Sequence, residues 1–243
     1  MVFAVGDIHG RLDLLEGASR EIRRLAAEAA KKGSRAMAIF LGDYVDRGPA
    51  AAGVISHLIS LRGDPNCQMR FLRGNHEQFL LDFMDGDGEA WAWLDNGGAQ
   101  TLLSYGVDWR DCESLVEAAR AAIPAEHLAF LRQTEMGVEC GGYFFVHAGL
   151  RPGRPLSEQT NADMLWLRYA GDERPAHGKT VVHGHTPRAR PTVGRWRIDI
   201  DTGAWMSGAL TLARFEDAQV RLFKVEIASP GGSAEVSEWE ACA

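Results

Sequence analysis

Five short stretches of this chain place metal-competent or acid–base side chains directly after an apolar run. They are Gly6-Asp7-Ile8-His9-Gly10, Gly42-Asp43-Tyr44-Val45-Asp46-Arg47-Gly48-Pro49, Arg73-Gly74-Asn75-His76-Glu77, His147-Ala148-Gly149 and His183-Gly184-His185-Thr186-Pro187. Mixed carboxylate, imidazole and amide donors suit Mn²⁺, Fe or Zn²⁺, whereas a structural zinc site more often uses cysteines. Arg47, on the loop after Asp43, adds an anion-binding group. One Asp or His at a strand end is commonly a cap or a hydrogen-bonded structural residue. Five such loops, each beside a glycine, are hard to explain as structure alone.

The elements that must position these residues follow from the hydrophobic pattern. Met1 to Val5, Ala36 to Leu41 and Gln68 to Leu72 read as short buried strands halted by glycine. Between them, Leu14, Leu15, Ala18, Ile22, Leu25, Ala26 and Ala29 form a helical stripe over Leu12 to Lys32, and a second helix runs from about Pro49 to Arg62. Three strand–loop–helix units argue for a parallel α/β half with right-handed crossovers, and ligands bind at the carboxyl ends of such strands. Residues 78–136 turn helical and carry Trp91 and Trp93 beside Asn96-Gly97-Gly98, which reads as an insertion over one side of the site. Strands resume at Gly142 to Val146 and Lys179 to Val182. The C-terminal part reads as antiparallel β: Trp196 to Ile200, then a hairpin of Ala209 to Phe215 and Val220 to Val225 around Glu216-Asp217. One domain is expected over residues 1–227, with 228–243 a flexible tail.

The 243 residues carry a net charge of −7, which provides no global basic field for a nucleic acid polymer. Any phosphate site must therefore rely on local arginines or metal ions. No apolar run approaches the roughly 20 residues of a membrane span, and no signal peptide is recognisable at the start. Cys67, Cys112, Cys140 and Cys242 lack metal-site spacing and form no evident disulfide frame, so a cytoplasmic location is expected.

The first three loops resemble the signatures of the phosphoprotein phosphatase branch of the calcineurin-like metallophosphoesterases, and His147 and the Gly184-His185-Thr186-Pro187 turn resemble its later ligand positions. The resemblance spans residues 6–187 in the family's order. It implies a four-layer α/β/β/α sandwich of two mixed sheets holding two divalent ions, Mn²⁺ by preference. By the same resemblance, Asp7, His9 and Asp43 hold one ion, and Asp43 bridges to a second held by Asn75, His147 and His185. His76 protonates the leaving oxygen, Asp46 orients its ring, and Arg47 and Arg73 grip phosphoryl oxygens, as planar guanidinium groups do.

Arg168 is a further phosphate clamp or a surface ion pair. His183 lies two residues from His185; the family pattern selects His185 and leaves His183 to packing. Asp201, in Asp201-Thr202-Gly203, fits a family turn and an Asx turn equally well, and the insertion tryptophans either pack or stack on a base. The implied activity is phosphomonoester hydrolysis, with phosphorylated protein or a small phosphoester as substrate. A serine/threonine protein phosphatase is the first reading and a symmetrical diadenosine tetraphosphate hydrolase the alternative; an inactive phosphate-binding scaffold is the third.

Overall fold

A computed structural model describes residues 1–216, 219–229 and 231–239. Its strands are β1 (Val2–Val5), β2 (Ala36–Phe40), β3 (Cys67–Phe71), β4 (Gly137–Cys140), β5 (Tyr143–Val146), β6 (Thr180–His183), β7 (Thr192–Val193), β8 (Arg197–Asp199), β9 (Ala209–Glu216), β10 (Gln219–Ile227) and β11 (Ala234–Glu238). The helices are α1 (Leu12–Lys31), α2 (Ala51–Leu61), α3 (Asn75–Asp85), α4 (Ala90–Trp93), α5 (Ala99–Ser104), α6 (Leu115–Ala122), α7 (Ala125–Arg132), α8 (Asn161–Trp166) and α9 (Ala204–Ser207). One sheet has the order β11-β10-β9-β1-β2-β3 and the other β4-β5-β6-β8-β7.

Strand period explains how the layers divide. In β1 and β2 the odd-and-even alternation sends Phe3, Val5, Ala38 and Phe40 into the core shared with α1 and α2, and sends Ala4 and Ile39 to the space between the sheets. There they meet Val138, Phe145, Val182 and Ile198 of the second sheet, with Ala213 and Phe215 of β9. The opposite face of the second sheet carries a small cluster of Val146, Leu150 and Val181, to which Leu156 and Met164 add cover. The fold is thus the expected two-sheet α/β sandwich, with a thin fourth layer built around α8.

β1, β2 and β3 pair in parallel, and so do β5, β6 and β8. These six strands present the loops that carry Asp7, Asp43, Asn75, His147, His185 and Asp201. Among the described residues, no helix is long and apolar enough to cross a membrane. Cys67, Cys112 and Cys140 are free thiols.

Two local expectations need correction, and one falls outside the described residues. The tail is not wholly flexible: Ala234–Glu238 forms β11, paired antiparallel with β10. It was hidden because only Ala234 and Val236 turn inward, Ala234 buried and Val236 partly so, giving too few apolar residues for a visible pattern. β4 precedes the first strand expected after the insertion, since Val138 is its only buried residue. Asp217, which the sequence places in a hairpin turn with Glu216, lies outside the described residues.

β11 sits against α1 at Gly17, where a Cβ would come within 2.5 Å of the Ala234 Cβ and 3.0 Å of Val225 Cγ1. Glycine inside a helix ordinarily costs about 1 kcal/mol relative to alanine. Gly17→Ala should nevertheless lower stability in denaturant titrations; a gain of about 1 kcal/mol would show that β11 does not pack there.

Candidate active site

Left-handed backbone is concentrated at the strand ends. His9, Asp43, Asp46, Arg47 and His185 have φ of 43°, 51°, 68°, 67° and 66°, and they are the non-glycine residues with positive φ among those described. Each such residue costs on the order of 1–3 kcal/mol and persists only where its surroundings hold it. The sharp turns they make fold the side chains back over the ends of the sheets.

Backbone hydrogen bonds lock these loops to one another. The Ile8 and His9 amides donate to the Asp43 carbonyl at 3.1 and 2.8 Å. His147 Nδ1 donates to the Leu41 carbonyl at 2.9 Å, tying the second sheet to the end of β2. His9 Nδ1 donates to the Val45 carbonyl at 2.8 Å. A carbonyl only accepts, so in both rings the other nitrogen, Nε2, faces the site with its lone pair when the ring is neutral.

Burial holds the rings neutral. It lowers His9 and His185 to about 3 each and also pulls His147 below its usual value. Asp43 has a pKa below the ordinary carboxylate value: burial raises it, but the positive charge that His147, His76, His9 and His185 carry when protonated outweighs burial. Its Oδ2 lies 3.4 Å from His9 Nε2 and its Oδ1 3.4 Å from His147 Nε2.

Divalent cations fit this donor set. Asn75 Oδ1 lies 2.9 Å from both His147 Nε2 and His185 Nδ1. The His147 proton is already committed to Leu41, so that contact sets a lone pair against a carbonyl oxygen with no hydrogen between them. Asp7 Oδ1 and His185 Nε2 are buried without a hydrogen-bond partner. Burial, together with the neighbouring Asp201 and Asp43, pushes Asp7 well above the normal carboxylate range. Burial also lifts Asp201 to about 6 and Asp199 to about 7. Excess buried negative charge and converging lone pairs both call for cations. His9, Asp43 and His76 form one donor group within 4.8 Å, and Asp43, His147 and His185 form another, with Asp43 common to both. Asp7 joins the cluster by accepting from the His185 amide at 2.9 Å.

His76, itself in the first of these groups, is paired with Asp46. His76 Nδ1 is 2.7 Å from Asp46 Oδ2, and both side chains are almost wholly buried. Burial acts to lower His76, but Asp43 and the Asp46 hydrogen bond outweigh it and raise the net value. Arg47 Nη1 lies 3.2 Å from His9 Nε2, and its guanidinium lies over Trp205. Arg168 is exposed, close enough for its charge to depress His185.

Arg73 is turned elsewhere. Its donors go to Thr134 Oγ1 at 3.1 Å, Gln78 Oε1 at 3.1 Å and the carbonyls of Leu131 and Arg132 at 3.3 and 2.9 Å. His183 bonds the Gly184 carbonyl through Nδ1 at 3.0 Å and packs on Tyr169, outside both donor groups. Asp201 makes an Asx turn, its Oδ1 accepting from the Gly203 amide at 2.8 Å, and also neighbours Asp7. Of the insertion tryptophans, Trp93 is buried against Phe83 while Trp91 is exposed.

Sequence reasoning gave no role to Glu77, which organises the loop after β2. This buried carboxylate accepts from four backbone amides: Asp43 and Gly74 on Oε2 at 2.7 and 2.9 Å, and Tyr44 and Val45 on Oε1 at 2.7 and 3.2 Å. A glutamate at the third position of α3 reaching back to the amide before the helix was the available signal. Its reach to β2 was not. Thr101 and Asp199 were also unassigned, and Trp93 was read only as packing or base stacking; the partner that Trp93 and Thr101 share lies far along the chain.

Residues 1–218 match the calcineurin-like phosphoesterase family, and the chain belongs to it. It is accordingly a hydrolase of phosphoesters that uses divalent metal. It is 29% identical over 230 residues to the serine/threonine-protein phosphatase 1 of Salmonella typhimurium, covering 88% of this chain and 92% of that protein. It is 30% identical over 205 residues to the symmetrical bis(5'-nucleosyl)-tetraphosphatase of Aromatoleum aromaticum, covering 82% of this chain and 60% of that one. The fold also resembles a cold-active protein-tyrosine phosphatase of a Shewanella species, with a TM-score of 0.60 at 16% identity, over 97% of this chain and 79% of that structure.

Glu77→Gln would turn an NH₂ group toward two of the four amides. Each unsatisfied donor costs about 1–3 kcal/mol, so a loss of about 2–5 kcal/mol is expected in denaturant unfolding. A change below about 0.5 kcal/mol would show that Glu77 does not hold the loop.

Proposed function

We propose that the protein is a serine/threonine protein phosphatase. The observation that carries the hydrolytic reading is that two donor groups share Asp43 and that His76, in the first of them, forms a buried pair with Asp46. Asp7, His9 and Asp43 would hold one ion, and Asp43, Asn75, His147 and His185 a second. Two divalent ions, Mn²⁺ by preference with Fe or Zn²⁺ as alternatives, supply when bound an activated water and neutralisation of the phosphoryl charge.

The chain's own residues do the rest. Asp46 fixes His76 through Nδ1, which leaves Nε2 to present a proton to the departing oxygen of the phosphoester. Arg47 and the exposed Arg168 flank the donor groups and bind non-bridging oxygens of the phosphate. Arg73 takes part after exchanging some of its contacts with the end of α7 for the substrate. The protein-phosphatase assignment is supported by the Salmonella relative, which this chain matches over nearly its whole length.

A specific observation favours a second reading. An open groove of about 460 Å³ runs beside Arg47, lined by Asn96, Gln100 and Asp95 and by the partly exposed Trp205. An aromatic face with amide groups around it suits a nucleobase, which supports a symmetrical dinucleoside tetraphosphate hydrolase. Turnover of a phosphothreonine peptide beside diadenosine tetraphosphate, both with Mn²⁺, separates the two. The first reading expects the peptide to be preferred; dinucleotide preference by orders of magnitude would replace it with the second.

Two substitutions test the roles. Asp43→Asn removes the shared ligand and should lower metal affinity by more than about 100-fold, beyond the loss typical of groups that only support a ligand; normal occupancy would refute the role. His76→Asn should keep the metals and slow alkyl phosphates by about 10²–10⁴-fold, while p-nitrophenyl phosphate, whose leaving group needs little protonation, is slowed far less. Equal slowing would argue against a proton-donor role.

A further inference from the structure

Asp46 is held by more than His76. Trp93 Nε1 lies 3.1 Å from each of its carboxylate oxygens, and Thr101 Oγ1 donates to Oδ1 at 2.6 Å. The Asp46 amide in turn donates to the same Thr101 oxygen at 2.8 Å. These contacts fix the proton directions. An indole N–H can only donate, and a threonine hydroxyl that already accepts from an amide has its single proton left for the carboxylate. Asp46 therefore receives hydrogen bonds from two donors supplied by the insertion, and His76 Nδ1 must be the third.

The chain makes a special turn to bring these donors together. Trp93 and Thr101 are eight residues apart, which in an uninterrupted α-helix would separate them by about 12 Å along the axis. A π-helical turn at Leu94–Gly98 with Gly97 at φ 105° breaks the helix between α4 and α5. Gly97 also accepts from the Arg47 amide at 3.2 Å, and a Cβ on it would lie 2.6 Å from that nitrogen. One kinked segment thus grips both Asp46 and Arg47. Trp93, Asp46, Thr101 and His76 are all essentially removed from solvent.

We propose that Trp93 and Thr101 are positioning residues for proton donation: they fix Asp46 as an immobile acceptor, which keeps His76 oriented with Nε2 toward the leaving group. The insertion is on this view part of the catalytic apparatus. Swinging it away would take both donors from Asp46 and release His76. The inference rests on the proposed role of His76 as proton donor.

The test uses the full-length, metal-loaded protein with an alkyl phosphate and p-nitrophenyl phosphate. Thr101→Val, which puts a methyl of similar size in place of the hydroxyl and so removes both of its bonds to Asp46, should lower kcat for the alkyl phosphate about tenfold, leave p-nitrophenyl phosphate within about twofold and leave KM unchanged. Thr101→Ser should restore turnover. Trp93→Phe, which keeps the ring packed on Phe83, should show the same split should Thr101→Val prove too unstable to assay. In an Asp46→Asn background, Thr101→Val should have no further effect. Equal loss on both substrates, or a full additional loss in the Asp46→Asn background, would overturn the inference. His76→Asn separates the two levels of the argument: absence of a leaving-group split there defeats the proton-donor reading, whereas a split there with none in Thr101→Val or Trp93→Phe defeats only this inference.

Discussion

Buried negative charge at the ends of two sheets is the constraint on which the structure depends. Asp7, Asp43, Asp199 and Asp201 are each at most 5% exposed. The arginines nearby do not pair with most of them: Arg188 reaches Asp199 at 3.5 Å, while Arg47 turns to His9. A carboxylate without a partner in such surroundings neutralises or binds a cation. Elevated proton affinity at Asp7, Asp199 and Asp201 and neutral imidazoles at His9, His147 and His185 are two expressions of the same demand. Divalent cations meet both without protonating any ligand.

The surrounding structure keeps those groups from relaxing apart. Glu77 binds the amides of Asp43, Tyr44, Val45 and Gly74, so the loop after β2 and the start of α3 cannot move independently. His147 ties the second sheet to Leu41, and the His185 amide holds Asp7. The left-handed residues sit within this mesh, and their strain is sustained by it. On the insertion side, Trp93 and Thr101 extend the mesh to Asp46 and hence to His76.

Much of the first sheet and most of the candidate ligands were legible in the sequence, because both signals are local. β1 and β2 are continuous apolar runs, and each is followed within a few residues by Asp7 and His9 or by Asp43. What escaped were contacts made across long separations. Trp93 and Thr101 lie 47 and 55 residues from Asp46, and neither residue type advertises a carboxylate partner. The turn of Arg73 toward α7 depends on where Leu131 and Arg132 end that helix, which no pattern around Arg73 specifies. β11 escaped because an edge strand with two inward residues has little hydrophobic periodicity.

The most direct test of the central claim is the metal content of the purified chain after Mn²⁺ reconstitution, followed by thermal unfolding of the loaded protein with and without chelator. Ligands that bind only the folded state stabilise it by mass action. Neutralisation of the buried carboxylates by cations requires about two ions per chain and a Tm that falls when they are stripped. A chain that retains no ion and melts at the same temperature with or without chelator would contradict it.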